Sequence, residues 1–244
     1  MKIKRILGLL LVLAALTSVF ASCEKAAEPD TLIADAEAAL KTAPYTVIST
    51  VEYASPDEDM SAIIASFSIP AIRVGVDGDK FNAYMYIKSG EKDNYVNYTY
   101  VDETLYVEWY ENGQTYTEKK AFTDKERDEI VFTLGSGVNI SIDDFNDVSS
   151  KKKDGVDTIY CKKIKGQSLG GLIAMLEENL SAVDAKVDVK DAALTVNVTD
   201  GKYSSTSLTC EYYVTTELGC YVINMTYNTR FDYESGVSIS APLF

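Results

Sequence analysis

The sequence contains no histidine. That removes Ser-His-Asp and Cys-His catalysis and every His-ligated metal site. Cysteine is scarce, at four in 244 residues. Three of them, Cys161, Cys210 and Cys220, show no CxxC spacing, which speaks against a zinc or redox site. Three is an odd number, so at least one of these thiols has no partner within the chain. Basic residues are few as well, 23 against 37 acidic, for a net charge of −14. Nucleic acid is therefore an improbable partner, because its phosphates require a basic face. An anionic lipid surface is equally unsuited to a domain of this charge. No nucleophile–base pair is visible. The expectation is a protein that is not an enzyme and needs no cofactor.

Long apolar runs are lacking too, with one exception at the N-terminus. After Lys2, Lys4 and Arg5 the stretch Ile6–Phe20 is almost wholly apolar, and Ala21-Ser22 follow. This run of 15 residues falls short of the ~20 needed to span a bilayer. A basic start, a short apolar core and small residues are the parts of a secretory signal. The stretch Val19-Phe20-Ala21-Ser22-Cys23 resembles the bacterial lipobox, in which the cysteine is acylated and becomes the first residue. Phe20 stands where that motif usually has leucine. The resemblance implies a signal over 1–22, a lipid on Cys23 and a short polar tether over 23–30. It further implies that the membrane is reached through the N-terminal lipid. The protein would sit on the extracytoplasmic face, or on an outer membrane where the host has two. Two other readings stay open: ordinary cleavage beside Ala21 or Ser22, and a retained apolar helix. Without residues 1–22 the chain has 20 basic and 37 acidic residues, a net charge of −17.

The remainder, 31–244, reads as a single domain rich in Tyr, Val, Thr and Ile, which favour strands. Asp30 or Thr31 is placed to cap a helix over 31–42, with Leu32, Ile33, Ala36, Ala39 and Leu40 at helical spacing. "PYTVISTVEYA" alternates as a strand, with Tyr45, Val47, Ser49, Val51 and Tyr53 on one face. Residues 56–70 fit a helix turn or a strand. Two strands flank Asp77-Gly78-Asp79, and three more meet at turns near Asp102-Glu103 and Asn112-Gly113. A helix is expected over 124–134, with Thr123 as N-cap and Glu126 closing a capping box. Residues 136–155 read as a polar loop containing Lys151-Lys152-Lys153, followed by a strand "VDTIYCKKIKG". A third helix over 168–180 carries the stripe Leu169, Leu172, Ile173, Met175, Leu176 and Leu180. Three strands finish the domain, and the tail "SGVSISAPLF" is a candidate edge strand.

Parity fixes the last hairpin. Pairing Val214 with Tyr221 sets Tyr212 beside Ile223, Cys210 beside Met225 and Leu208 beside Tyr227, all on one face. Cys220 then faces away, which excludes a Cys210–Cys220 bridge. A Cys161–Cys210 bridge stays open. The texts at 77–87 and 200–214 look alike but are too short to establish a repeat. The element order is α+β, one antiparallel sheet over 45–122 and 157–232 that curls around its helices.

The order of "PYTVISTVEYA", "VDGDKFNAYMYI", "YVDETLYVEW", "GVDTIYCKKIKGQSLGGLIAMLEENL", "VNVTDGKYSSTSLTCEYYV" and the closing "ISAPLF" is similar to the lipoprotein-carrier superfamily of LolA and LprG. The resemblance implies a curved antiparallel half-barrel, an unclosed β-barrel with helices packed on its concave side. It also implies a lipid, acyl chain or glycolipid as ligand, and no catalytic residue. On that reading Leu169, Leu172, Ile173, Met175 and Leu176 face a lipid cavity, with Gly170-Gly171 as the hinge of a lid. Tyr84 and Tyr86 would line an amphipathic pocket, among the tyrosines at 95, 98, 100, 106 and 110. Plain core packing explains the same residues. Asp143, Asp144 and Asp147 lack the spacing of a calcium loop and fit a solvated loop, as Glu126, Asp128 and Glu129 fit a solvated helix face. Three functions compete: an anchored binder of a hydrophobic or amphiphilic ligand, a non-enzymatic interaction module without a pocket, and, least favoured for want of a nucleophile–base pair, a hydrolase.

Overall fold

Strand-forming text dominates the chain, and the structure builds it into one sheet. The structure, a computed structural model, describes residues 26–77, 82–88, 95–123, 125–126, 141–166, 173, 176–177, 180, 185–217 and 219–243. The first half carries α1 (Pro29–Thr42), β1 (Tyr45–Ala54), α2 (Glu58–Ala65), β2 (Ile69–Val76), β3 (Ala83–Lys88), β4 (Tyr95–Val101), β5 (Thr104–Glu111) and β6 (Gln114–Ala121). A 3-10 turn at Ile142–Asp144 leads into β7 (Phe145–Lys153), β8 (Val156–Ile164), β9 (Lys186–Thr199), β10 (Lys202–Thr216) and β11 (Gly219–Asp232). The eleven strands among the described residues form an open antiparallel sheet in the order β6-β5-β4-β3-β2-β1-β11-β10-β9-β8-β7. The first and last strands therefore meet in the middle, and β6 and β7 are the edges.

The last hairpin has the register expected from parity: Val214 opposite Tyr221, Tyr212 opposite Ile223, Cys210 opposite Met225 and Leu208 opposite Tyr227. One sheet face carries the core. Val47, Val74, Met85, Tyr212, Val214, Ile223 and Met225 bury one another there, joined by Met60 and Ile64 of α2 and by Leu176 and Leu180. On the same face Leu32 and Ala36 of α1 close over Phe145, Ile159, Cys161, Val196 and Val198. Residues 173, 176 and 177 are helical, and the Leu180 N–H donates to the Leu176 carbonyl at 3.0 Å.

Several boundaries differ from the sequence reading, each for a physical reason. Helix α1 starts at Pro29, two residues before the expected 31, because proline's missing N–H and fixed φ suit the first helical position. The stretch 56–70 divides into α2 and the start of β2. The register between β1 and β2 slips between Ser49/Ile72 and Val51/Ile69. This places Pro70 in an irregular segment, where a missing ladder donor is tolerated. The polar stretch expected as a loop over 136–155 is strand β7 from Phe145 onward. It is polar because it is an edge. Lysines at 151–153 discourage pairing with another chain, as Lys119 and Lys120 do on β6, which is exposed along its whole length. The tail 236–243 forms no strand. The Asp232 carboxylate accepts from the Glu234 and Ser235 N–H groups at 2.9 and 3.2 Å. That turn takes the chain off β11, which already has β1 and β10 on its two sides.

The three described cysteines are free thiols. Cys161 pairs with Leu194 on β9, and Cys210 pairs with Ala192 on the other side of the same strand. Two strand spacings of about 4.8 Å each exceed the ~7 Å Cα limit for a disulfide, so the Cys161–Cys210 bridge is ruled out. The Thr123–Glu126 capping box is present: the Thr123 N–H donates to Glu126 Oε2 at 2.7 Å, and the Glu126 N–H donates to Thr123 Oγ1 at 3.3 Å. The rest of the helix expected over 124–134 lies outside the described residues.

Four hairpins turn on two residues with positive φ. Three use Asn112-Gly113, Asp154-Gly155 and Asp200-Gly201, and the fourth uses Asp102 (φ 49°) and Glu103 (φ 57°). Such turns match the twist of the flanking strands, but Glu103 carries a Cβ in the left-handed region. Glu103→Gly is expected to stabilise the fold by about 0.5–1 kcal/mol, the left-handed penalty less glycine's entropy cost. Thermal melting should show a rise of about 1–4 °C; an unchanged or lower midpoint would count against the strain.

Candidate functional site

Side chains alternate along a strand, so the even-numbered tyrosines of β3 and the odd-numbered residues of β2 share the face opposite the core. Arg73, Tyr84 and Tyr86 lie there, and Asn97 and Thr99 join them from β4 through the pairs Tyr86–Asn97 and Tyr84–Thr99. With Ser238, Ile239 and Ser240 of the tail they line an open groove of about 440 Å³. Tyr84 lies across Gly75, its partner on β2. A Cβ on Gly75 would come within 2.8 Å of Tyr84 Cδ1 and Cζ. The glycine thus lets the ring lie flat on the sheet, forming the floor of the groove.

The aromatic surface continues past the groove. Tyr86 and Tyr95 have ring centroids 5.8 Å apart, and Tyr95 and Tyr110 are stacked at 6.2 Å. The Tyr95 hydroxyl donates to Glu108 Oε1 at 2.9 Å. That bond to a carboxylate raises the phenol's pKa and keeps it a neutral donor. Lys119 Nζ sits 5.2 Å from the Tyr106 ring centroid on the same face.

The site residues expected from sequence divide between the two faces. Tyr84 and Tyr86 are on the outer face at the groove. Leu176 is fully buried on the inner face and Ile173 packs partly buried against the same core. Leu169, Leu172 and Met175, like Cys23 and the Gly170-Gly171 pair, lie outside the described residues. The sheet itself separates Tyr84 and Tyr86 from Ile173 and Leu176, so these four cannot line one pocket. Of the wider tyrosine set, Tyr98 opposes Met85 and Tyr100 opposes Ala83 on the inner face. Arg73, Asn97, Thr99 and the tail were not anticipated. The first three follow from strand parity once Tyr84 is taken as the reference; nothing in the tail signals its path.

The acidic loop has structural roles. Asp144 accepts from the Ser141 N–H at 2.7 Å in a capping box, and Asp147 pairs with Lys163 at 3.3 Å. Among the described residues no cluster of acidic, cysteine or histidine side chains is placed to hold a metal ion. Also among them, no helix is long and apolar enough to cross a membrane.

No family model matches the chain, and no curated protein does. Among solved structures, the crystal structure of the dehydratase domain of RzxB from Pseudomonas fluorescens aligns over 78% of this chain and 77% of that one, at 8% identity and a TM-score of 0.14. A score that low carries no argument about fold or activity.

Proposed function

We propose that this chain is a lipid-anchored, extracytoplasmic binding protein without catalytic activity, and that it holds an amphiphilic ligand. The observation that carries the reading is the groove on β2–β4. There the rings of Tyr84 and Tyr86 meet a guanidinium, an amide and a hydroxyl in an open cleft of about 440 Å³, within the usual size of a ligand site. In this proposal the sheet is curled as a half-barrel with the helices on its concave side, as in the LolA and LprG carriers. Residues 1–22 are a removed signal, 23–30 a tether and 31–244 the single domain. The groove is open without any movement of the helices.

The tether supports this placement. Ser150 Oγ of edge strand β7 donates to the Ala27 carbonyl at 2.9 Å. Cys23 is four residues away in sequence, a main-chain reach of at most about 14 Å. Cys23→Ala is expected to move the protein from the membrane fraction to the medium or periplasm. Retention of this variant in the membrane would replace the anchor by an uncleaved helix.

Native mass spectrometry of the detergent-solubilised full chain with extracted envelope lipids and saccharides tests the binding reading. A ligand adduct lost in Tyr86→Ala supports it. The second reading, an interaction module with no pocket, is favoured by the complete burial of Leu176 and Leu180. On the inner face both pack within one buried apolar cluster. A protein that takes up no small ligand under any of these conditions is that module.

A further inference from the structure

Resting on the groove as a binding site, we propose that its ligand is a neutral glycan chain, not an acyl chain or a lipid headgroup. Three observations lead there. The first is the state of the polar groups. On the β8–β11 half of the outer face, polar side chains satisfy one another across strands. Thr158 donates to Asn197, Asn197 to Ser205, Ser207 to Asn228, and Lys190 reaches Glu211. At the groove, the side chains of Arg73, Tyr84, Asn97 and Thr99 have no hydrogen-bond or ion-pair partner among the described residues. An acyl chain laid on them would remove water from the three that are not already buried, Arg73, Tyr84 and Asn97, and return no hydrogen bond, a cost of about 1–3 kcal/mol each. A sugar ring answers all of them. Its hydroxyls both donate and accept, which matches an amide, a hydroxyl and a guanidinium together, while its C–H face covers a tyrosine ring.

The second observation is charge. The mature chain carries −17, and Arg73 is the sole cation lining the groove among the described residues. A polyanion is repelled at long range, so the glycan is neutral. The third is position. The groove on β3 is seven strand spacings from β7, where the tether is held. At about 4.8 Å per strand this is about 34 Å along the sheet. The groove therefore does not adjoin the edge from which the anchor extends, and a polysaccharide lying outside the bilayer can reach it. The groove is open, and the row Tyr86, Tyr95, Tyr110 runs on from it across three strands, as a chain of several sugar rings requires and a single headgroup does not.

Isothermal titration of the full chain in detergent with laminarihexaose, cellohexaose, mannohexaose and chitohexaose tests the proposal. Vesicles of phosphatidylcholine with and without a monoglucosyl lipid form the comparison arm. At least one hexasaccharide is expected to bind. Tyr86→Ala and Asn97→Ala are each expected to weaken that binding at least tenfold while the far-UV spectrum and melting midpoint hold. Tyr213→Ala, on the outer face beside Lys190, is expected to leave it unchanged. Tyr86→Phe keeps the ring and removes the hydroxyl, so a loss smaller than that of Tyr86→Ala separates stacking from hydrogen bonding within a supported site. No binding of any hexasaccharide overturns the glycan assignment, as does binding indifferent to both alanine variants. Tyr86-dependent binding of the glucosyl vesicles alone also overturns it, while leaving an amphiphile-binding groove in place. A Tyr86-dependent lipid adduct without any sugar binding has the same meaning.

Discussion

Raising the pH from 8 to 12 is expected to unfold this protein in one cooperative step. The cause is a set of neutral acids buried in the core. Burial pushes the Cys210 thiol up to about 12 and the Cys161 thiol to about 11. Burial, and then the neighbouring Cys210, pushes the Tyr53 phenol up to about 12. Tyr212 and Tyr203 are raised further, again chiefly by burial. A folded-state pKa above the unfolded value means that the fold favours the protonated form. The stabilisation is therefore complete below the ordinary thiol and phenol values of about 8.5 and 10. It is lost as pH climbs from there through the folded values. Each unit of separation is worth about 1.4 kcal/mol. Cys210, Tyr53 and Tyr212 are close neighbours, so their contributions do not simply add. Tyr233, raised to about 12 chiefly by burial, is only half-buried and contributes less. Even so, a domain with about 5–15 kcal/mol in total cannot ionise several such groups and stay folded. Tyrosinate absorbance, followed with far-UV circular dichroism, should show a late rise coinciding with loss of the strand signal. A gradual titration of all 17 tyrosines with the sheet intact at pH 12 would show that the core admits hydroxide without opening.

The same alternation that buries these groups made much of the fold legible. In "TSLTCEYYVTTELGCYVINMTYN" the apolar residues fall on one parity on each side of the turn, so the β10–β11 register followed from sequence alone. Where a bulge shifts the parity, the reading stopped. Between β9 and β10 the register slips at Glu211/Tyr212 and again at Tyr203/Ser205. Val187 and Val189 thus reach the core on odd numbers and Ala192, Leu194 and Val196 on even ones. Without that slip in view, β9 is readable only from Leu194, though it begins at Lys186. Edge strands failed for another reason. A strand with one neighbour needs little apolar surface, so β7 has the composition of a loop. The groove was half legible. Tyr84 and Tyr86 stand out by type, but their facing depends on which parity of β3 the core takes. The third wall is a tail more than 130 residues away in sequence, which no local pattern announces.

That division between faces makes Leu176 the residue that decides between the two sides of the sheet. Leu176→Ala is expected to destabilise the fold by about 2–5 kcal/mol, a fall in melting midpoint of about 5–15 °C for a chain of this size. The side chain is wholly buried and packs within the cluster that holds Val187, Tyr212, Ile223 and Met225. Removing it leaves a cavity between helix and sheet that close-packed strands fill poorly. Urea denaturation gives the loss directly, and an unchanged slope keeps the comparison on one transition. Leu176→Phe should also destabilise, by about 1–3 kcal/mol, since a filled site has no room for a larger ring. The carrier picture with a mobile lid makes the opposite demand. A helix that swings open to admit an acyl chain must leave the sheet at low cost, so its anchoring leucine contributes little to the closed state. A loss below about 1 kcal/mol for Leu176→Ala, with faster lipid uptake, would return the ligand to the inner face and make the third helix its gate. A loss in the expected range, with groove binding unaltered in the folded fraction, fixes that helix as part of the core and leaves the outer face to do the binding.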